Sequence, residues 1–213
     1  MSSFRDIDYR LRPSKNIERK MMVDILQRLP NIHNLSEYQY VGFGSTYFSD
    51  VRIIHKRLGI NDIVSIEKEI YNKERFTYNK PFDCINMKFE KSSDVLPELD
   101  WEQPTILWLD YDDELESYMI SDIREFMTSA VPGSVIFITI NAHPRNVSKR
   151  SDDDRTMVDE IKDNLSPELV PTDVDKKDVR GWGYGDVCQR IILNQIKEKF
   201  LPNRNAGVPD EEK

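Results

Sequence analysis

The stretch Tyr40-Val41-Gly42-Phe43-Gly44-Ser45-Thr46 decides the fold of this chain of 213 residues. It closes an apolar run that begins at Tyr38 and leads into the helical pattern of residues 47–58, so it predicts a strand, a tight turn and a helix. Glycine lacks a Cβ, which lets the backbone turn sharply and approach a ligand closely. The helix behind the turn offers unpaired N–H groups and a favourable dipole. We therefore expect a ligand-binding turn at Gly42 and Gly44.

The two glycines are less than a full dinucleotide-binding fingerprint. Glycines also end strands for packing reasons, so the pair alone is weak support for a ligand site. The third glycine of the fingerprint is missing, which argues against a pyrophosphate pressed onto the helix. NAD and FAD are therefore disfavoured.

Apolar runs and helical patterns alternate on either side of this turn. Short runs of strand length alternate with amphipathic stretches, and the runs are almost continuously apolar, as strands buried on both faces must be. This alternation predicts a three-layer, Rossmann-like α/β fold, with a mainly parallel sheet and helices on both faces. The predicted strands are residues 38–43, 62–66, 83–89, 105–109 and 134–140.

The chain divides into three segments on this interpretation. Residues 1–37 form an N-terminal helical segment, residues 38–145 a nucleotide-binding core, and residues 146–213 a mostly helical extension packing on the core. Within the first segment, apolar side chains recur every four positions, which predicts an amphipathic helix with one buried stripe. The stripe consists of Ile17, Met21, Ile25 and Leu29, widened by Met22 and Leu26.

No convincing pair of strand patterns follows residue 141, whereas a complete sheet of this kind normally has two more strands. The sequence therefore predicts either five strands with an exposed edge beside the fifth, or a chain that continues in its natural form. An unpaired strand edge invites pairing. We expect a homo-oligomer or a partner protein at that edge.

Composition limits the class of protein. Hydrophobic residues make up 38% and charged residues 32% of the chain, and its longest apolar run, residues 134–140, is far too short to span a bilayer. The first twelve residues contain no apolar run of a secretory signal. Cys84 and Cys188 have no metal-binding spacing and are interpreted as thiols in a reducing compartment. We expect a cytoplasmic protein with no membrane partner.

Basic residues crowd the first twenty positions of a chain whose net charge is −8. A basic segment could contact nucleic acid, and that contact stays open. A solvated helix face is favoured, because no aromatic side chains alternate with the charges as stacking platforms. The basic residues are Arg5, Arg10, Arg12, Lys15, Arg19 and Lys20.

Glu67 directly follows the second predicted strand. It stands about twenty residues beyond the glycines, where a nucleotide-binding fold places its ribose-binding acid. A carboxylate there can accept hydrogen bonds from both ribose hydroxyls. The alternative is a surface residue within the Glu67-Lys68-Glu69 run, but spacing and position favour a binding role.

Asp110-Tyr111-Asp112 ends the fourth predicted strand. Ligands of open parallel sheets bind outside the carboxyl ends of the strands, so these side chains are predicted to face a ligand. Asp110 could orient an acceptor or take its proton, and Tyr111 could line the pocket or stack on a planar substrate. We take Asp110, Tyr111 and Asp112 as the candidate catalytic residues.

Three blocks together resemble class I Rossmann-like S-adenosylmethionine (SAM)-dependent methyltransferases. The blocks are Val41-Gly-Phe-Gly-Ser45, Ser65-Ile-Glu67 and Leu109-Asp-Tyr-Asp112, within residues 38–141. The resemblance implies SAM as the cofactor, with its methionine moiety at Gly42, Phe43, Gly44 and Ser45, and its ribose on Glu67. It also implies that the turn at residues 90–93, with Ser92, lines the adenine. That turn often holds an acidic residue, and Lys91-Ser92-Ser93 departs from the pattern.

The resemblance extends to magnesium chemistry only in part. A metal-dependent O-methyltransferase has acids after strand four and an Asp-Asn pair after strand five. Asp110, Asp112 and Asn141 could supply part of an oxygen-rich Mg²⁺ site. Ile140 stands where the pair would have its aspartate, so loop acids bound by hydrogen bonds are favoured and no metal is expected.

Residues 12–112 are also similar to poorly characterised bacterial O-methyltransferase-like proteins, some of which lie near phage-defence genes. The resemblance implies methyl transfer from SAM to an oxygen or nitrogen of an unidentified acceptor. The alternative is a non-catalytic, methyltransferase-like nucleotide-binding or assembly module, for which a phage-defence system is one setting. A fold by itself does not prove a reaction.

Overall fold

The structure is a computed structural model that describes residues 13–28, 34–142 and 156–205. Within these residues, five strands form one sheet in the order β3-β2-β1-β4-β5. The neighbouring pairs β1–β2, β1–β4 and β2–β3 are parallel, and β1 places Gly42 directly beside Ser65 and Trp108. The strands are β1 Gln39–Phe43, β2 Asp62–Ile66, β3 Ile85–Lys88, β4 Thr105–Asp110 and β5 Val135–Thr139.

The parallel sheet and its helices make a three-layer, Rossmann-like α/β fold, which confirms the predicted fold class. The strand order reverses between β1 and β4, because the chain leaves β3 at one side of β1 and returns on the other. Such a reversal opens a crevice at the carboxyl ends of the two strands, which is where ligands of this architecture bind. The glycine turn at the end of β1 and Asp110 at the end of β4 both lie where the strand order reverses.

Helices connect the strands largely where the periodicity predicted them. Gly59 ends the second helix with a φ of 73°, a left-handed conformation that glycine adopts at little cost. Phe48 precedes that helix with a φ of 51°, and its buried ring shows that packing overrides the backbone preference there. The helices are α1 Pro13–Leu26, α2 Ser49–Leu58, α3 Lys73–Asn79, α4 Ser92–Val95, α5 Ser117–Ser129, α6 Met157–Asn164, α7 Gly183–Asn194 and α8 Leu201–Asn205, with a π-helical segment, Gln195–Phe200, between the last two.

Helix α1 buries only part of the predicted stripe, in which Met22 and Leu26 are buried as predicted. Ile17, Met21 and Ile25 are 57%, 58% and 50% exposed, so the prediction that they form the buried stripe is wrong. Leu29 lies outside the described residues. The buried face consists of Arg19, Met22, Val23 and Leu26.

The same orientation corrects the interpretation of the basic residues of α1. Arg19 is 6% exposed and forms an ion pair with Asp50, and Lys15 forms an ion pair with Asp110. These two cations therefore do not belong to a solvated face. A buried carboxylate strongly favours a cation beside it, and this selects the face that α1 turns inward. Arg5, Arg10 and Arg12 lie outside the described residues.

The chain forms two compact units. The sheet unit contains Met1–Asp110 and Ala130–Ile138, and the helical unit contains Tyr111–Ser129 and Thr139–Lys213. The core of the sheet unit joins α1 and α2 to the strands through fully buried side chains, among them Leu26, Tyr38, Ile54, Ile63 and Ile106. In the helical unit, α5 packs against α8 and the π-helical segment, and Arg204 donates a hydrogen bond to the Met127 carbonyl oxygen at 3.0 Å.

Residues 140–142 and 156–205, the described part of the chain beyond β5, contain no further strand. This agrees with the prediction of five strands for that part of the chain. Of the strands in the described ranges, β5 lies at the edge of the sheet, and its five residues are all partly exposed. None of the described helices combines the length and the apolar character that a membrane span requires.

Candidate functional site

The glycine turn is built by close packing between the ends of β1 and β2. The Gly44 N–H donates to the Ile66 carbonyl oxygen, and a Cβ on Gly44 would lie 3.1 Å from Glu67 Cβ and 3.2 Å from that oxygen. Neither Gly42 nor Gly44 has a positive φ. Gly44 is therefore required for close approach to β2 and not for an unusual backbone conformation.

Gly42 has a different neighbour. Its missing Cβ would lie 2.7 Å from the hydroxyl oxygen of Tyr40, so the Tyr40 side chain fills the space that another residue would need. Tyr40 stands two residues before Gly42 in the same strand, and such residues share a face. That spacing was visible in the sequence, but it did not single out Tyr40 as a site residue.

Two buried hydroxyl groups beside the turn have no hydrogen-bond partner within the described residues. They are Ser65 Oγ and Thr46 Oγ1, and Ser65 Oγ lies 3.3 Å from the position of a Cβ on Gly44. Buried polar atoms in native proteins are nearly always paired, so such atoms require an explanation. A polar ligand at the glycine turn would pair them.

Glu67 is buried beside these atoms. It is 9% exposed, so the alternative of a surface residue is wrong, and its Oε1 accepts a hydrogen bond of 2.9 Å from the Glu69 N–H. Burial raises the pKa of Glu67 to about 7, although the Glu69 N–H opposes the shift. A carboxylate that is costly to ionise without further donors is suited to receive the hydroxyl groups of a ligand.

Asp110 ends β4 on the other side of β1 and is paired with Lys15. The Lys15 ammonium also lies 3.0 Å from Glu18 Oε2 and 5.7 Å from the centre of the Trp108 ring. Burial raises the pKa of Asp110 to about 6, and the charge and hydrogen bond of Lys15 limit this rise. Helix α1 thus supplies a cation to the carboxyl edge of the sheet, which the sequence did not predict.

A second ion pair, between Arg19 and Asp50, lies in the same part of the sheet unit. Asp50 belongs to the first turn of α2, and burial raises the pKa of its carboxyl group while Arg19 opposes the rise. Asp50, Asp110 and Arg19 all act electrostatically on the Tyr40 hydroxyl. The carboxyl edge near β1 and β4 is therefore lined by charges of both signs.

The other residues predicted for the cofactor also lie in the sheet unit. Phe43 and Ser45 are half-buried at the turn, and Ser45 Oγ accepts a hydrogen bond of 3.1 Å from the Phe48 N–H. Ser92 is 8% exposed and begins α4 after β3. Their roles as cofactor-binding residues stay predictions.

Tyr111, Asp112 and Asn141 belong to the helical unit. Tyr111 is 6% exposed and its hydroxyl donates to Asp122 Oδ2 at 2.7 Å, whereas Asp112 is exposed. The Asn141 N–H donates to the Asp113 carbonyl oxygen at 3.0 Å. The Tyr111 hydroxyl is thus committed to a protein carboxylate, and the proposed roles of Tyr111 and Asp112 rest on their sequence position alone.

Among the described residues, no group of three or more His, Cys, Asp or Glu side chains is arranged to hold a metal ion. Asp110, one of the three residues considered for Mg²⁺, is occupied by the Lys15 ion pair. Whether Asp110, Asp112 and Asn141 bind Mg²⁺ is therefore addressed only by the sequence pattern, and the expectation that no metal binds stays a prediction.

Comparison with known protein families gives one match. The model of a family described as "Putative O-methyltransferase" matches residues 7–213. No curated protein and no solved structure gives a significant match. The family match covers the glycine turn, Glu67 and Asp110 as well as both compact units.

Proposed function

We propose that this chain, which belongs to the O-methyltransferase family, binds SAM in its sheet unit and transfers the methyl group to an oxygen atom of an acceptor. Membership of the family establishes the general class of methyltransferase. SAM as the donor and the identity of the acceptor are our proposals. The family's description favours oxygen over nitrogen as the acceptor atom.

The unpaired polar atoms around Gly44 carry the proposal. Ser65 Oγ and Thr46 Oγ1 lack partners within the described residues, and Glu67 Cβ lies 3.1 Å from the position of a Cβ on Gly44. A ribose offers vicinal hydroxyl groups, which can donate to Glu67 and pair with neighbouring hydroxyls. The chemistry of these residues therefore fits the nucleoside part of SAM.

The strand order supports a ligand lying across the sheet. Ser92 follows β3, Glu67 follows β2, the glycine turn follows β1 and Asp110 ends β4, and these four strands are neighbours in that order. A donor with its adenine near Ser92 and its ribose on Glu67 would direct its methyl group towards β1 and β4. That direction leads to Asp110.

SAM supplies an electrophilic methyl group attached to a sulfonium ion. The acceptor oxygen forms the new bond to the methyl carbon as the carbon–sulfur bond breaks and its electron pair returns to sulfur. Asp110, held by Lys15, would take the proton that the acceptor hydroxyl loses. The protein's further tasks are alignment of the two reactants and exclusion of water.

Calorimetry with S-adenosylhomocysteine, the demethylated form of the donor, tests the proposed binding. We expect one site per chain in the wild type, and transfer of radioactive methyl from SAM into a component of a cell extract. Failure of the purified protein to bind either SAM or S-adenosylhomocysteine would refute the proposal. Binding without transfer to any extract component would instead support the non-catalytic nucleotide-binding module.

The role of Asp110 has its own test once an acceptor is found. Asp110→Asn keeps the shape of the side chain and removes its charge, so turnover should fall by about 100-fold or more while donor affinity changes little. Asp62→Asn is a matched control, because Asp62 is the first residue of β2 and therefore lies at the amino ends of the strands, whereas Asp110 lies at their carboxyl ends. Wild-type turnover in Asp110→Asn would show that Asp110 is not the proton acceptor.

A further inference from the structure

Two tyrosine side chains extend into solvent from the segment between β2 and β3. Tyr71 is 95% exposed and Tyr78 is 90% exposed. Tyr71 lies in a 3₁₀-helical turn, Ile70–Asn72, that leads directly into α3, and Tyr78 lies near the end of α3. Single apolar side chains on a surface are ordinary, so the arrangement of the two rings decides whether they form a site.

The two rings share one face of the helix, with a cation between them. Tyr78 comes seven residues after Tyr71, which is close to two helical turns and a rise of about 11 Å. Arg75 stands four residues after the first ring and three before the second, the spacings at which helix side chains are neighbours. It is exposed and forms no ion pair with another described residue. We call Tyr71, Arg75 and Tyr78 the tyrosine strip.

The opposite face of α3 fixes the strip to the core of the sheet unit. Phe76 is fully buried, and its ring centre lies 6.5 Å from that of Phe48 and 6.3 Å from that of Phe89. The Lys73 ammonium lies 5.4 Å from the centre of the Phe89 ring. A surface carried by a packed helix is already ordered, so a ligand does not have to order it on binding.

Basic side chains surround the strip in an otherwise acidic protein. Residues 68–80 contain four basic and two acidic side chains, whereas the whole chain has a net charge of −8. Lys91 is exposed and follows Phe89, the residue that Lys73 contacts, by two positions. The segment thus combines cations with aromatic rings, a combination that the basic N-terminal segment lacks. The four basic residues are Lys68, Lys73, Arg75 and Lys80.

We propose that the tyrosine strip binds single-stranded nucleic acid, with bases stacked on Tyr71 and Tyr78 and phosphates bound by Arg75 and the neighbouring lysines. Aromatic rings hold unpaired bases of any sequence, and cations follow the backbone. Bases of a duplex are already stacked on one another, so a duplex does not fit the rings. RNA and DNA strands share bases and phosphates, so both are ligands of the strip. This binding goes beyond methyl transfer and does not depend on the donor.

A protein partner fits the same surface less well. The core of a protein–protein interface is depleted of Lys and Glu, whereas both residue types alternate with the rings throughout residues 68–80. Within that range, which the structure describes completely, Ile70 is the one exposed aliphatic side chain. The surface therefore offers rings and charges and little aliphatic area, which is the chemistry of a single-strand binding surface.

Fluorescence anisotropy with labelled oligonucleotides of about 12 nucleotides tests the proposal. The probes are single strands of riboadenylate and deoxyadenylate, a deoxyribose-phosphate strand without bases, and a hairpin duplex. We expect the wild type to bind both single strands. The strand without bases carries the same phosphates, and it should bind about tenfold more weakly or worse, as should the duplex.

Variants of the strip identify the side chains responsible. Tyr71→Ala and Tyr78→Ala should each weaken binding of the single strands about tenfold, whereas Tyr71→Phe and Tyr78→Phe keep the rings and should bind as the wild type does. Arg75→Gln should reduce the slope of log affinity against log salt concentration by about one. Trp182→Ala and Arg124→Gln are the matched controls, because they remove an exposed ring and an exposed cation elsewhere and should leave the affinity unchanged.

The remaining outcomes overturn the proposal. Failure of the wild type to bind either single strand would favour a protein partner for the strip. Equal binding of the strand without bases would show that charge alone attracts the probes. Wild-type affinity in both Tyr71→Ala and Tyr78→Ala would place the nucleic acid elsewhere on the protein. The substituted side chains are exposed, so circular dichroism should show wild-type unfolding in every variant.

Discussion

At the scale of single residues, Glu67 links stability to ligand binding through its pKa. Burial raises that pKa from 4.5 to about 7, so the folded state holds the proton more tightly than the unfolded state does. The free energy of unfolding therefore falls as the pH rises from about 4.5 to about 7, in total by on the order of 3 kcal/mol. Below that pH window Glu67 is protonated in both the folded and the unfolded state, so its burial as a carboxylate no longer lowers the free energy of unfolding.

Glu67→Gln should remove this pH dependence. We expect the variant to be more stable than the wild type at pH 8 and similar to it near pH 4.5, in urea unfolding followed by circular dichroism. The same variant should bind S-adenosylhomocysteine more weakly by about 1–3 kcal/mol, because an amide cannot accept from both ribose hydroxyls as a carboxylate does. Wild-type affinity in this variant would show that the Glu67 carboxylate does not bind the ligand.

Gly44 is the second residue whose chemistry can be tested alone. A Cβ there would lie 3.1 Å from Glu67 Cβ, so Gly44→Ala should displace Glu67, cost about 1–3 kcal/mol of stability and weaken donor binding. Gly59→Ala is the control, because no atom lies within 4 Å of its Cβ position and its cost arises from the positive φ alone. Equal ligand affinities in the two variants would contradict the close packing at the turn.

At the scale of elements, α1 shows that the periodicity of a helix can be predicted correctly while the centre of its buried face is not, since Met22 and Leu26 are buried but Ile17, Met21 and Ile25 are exposed. Both faces of α1 carry apolar side chains at helical spacing, and the sequence gives no means of choosing between them. The choice follows from Arg19 and Lys15, whose carboxylate partners come from α2 and β4. Those partners are 31 and 95 residues away in the chain.

The orientation of α1 predicts different costs for two neighbouring substitutions. Leu26 is fully buried, so Leu26→Ala should lower the free energy of unfolding by about 2–5 kcal/mol. Ile25 is 50% exposed, so Ile25→Gln should change it by less than about 0.5 kcal/mol. Urea unfolding of both variants measures the difference. The reverse order of costs would contradict this orientation of α1.

At the scale of the whole molecule, β5 is the edge strand of the sheet among the described residues, and its own residues are partly exposed. We expect the wild type to form a species larger than its monomer mass of 25.1 kDa in light scattering coupled to size exclusion. Ile138→Lys places a charge in the edge strand and should shift this species towards the monomer. Lys88→Gln in β3, at the other end of the sheet, is the control. A monomeric, stable wild type would contradict this expectation.

The sequence by itself determined the fold class and most of the elements. Burial on both faces requires apolar runs of strand length, and amphipathic helices require a period near 3.6 residues, so both leave local traces. Gly42, Gly44 and Glu67 were predicted as site residues for the same reason, since a turn after one strand and an acid after the next are features of local sequence. The match of residues 7–213 to a methyltransferase family agrees with the resemblance of those blocks.

Tertiary structure alone decided which of these residues meet other groups. Ser65 and Thr46 resemble ordinary strand and loop residues until the packed chain buries their hydroxyl groups without a hydrogen-bond partner among the described residues. Likewise, the sequence predicted that Asp110 faces a ligand, but it did not predict the ion pair with Lys15 of α1. Ion pairs and unpaired buried atoms depend on contacts between distant segments, and such contacts leave no periodic pattern in the sequence because they are fixed only when the chain is packed.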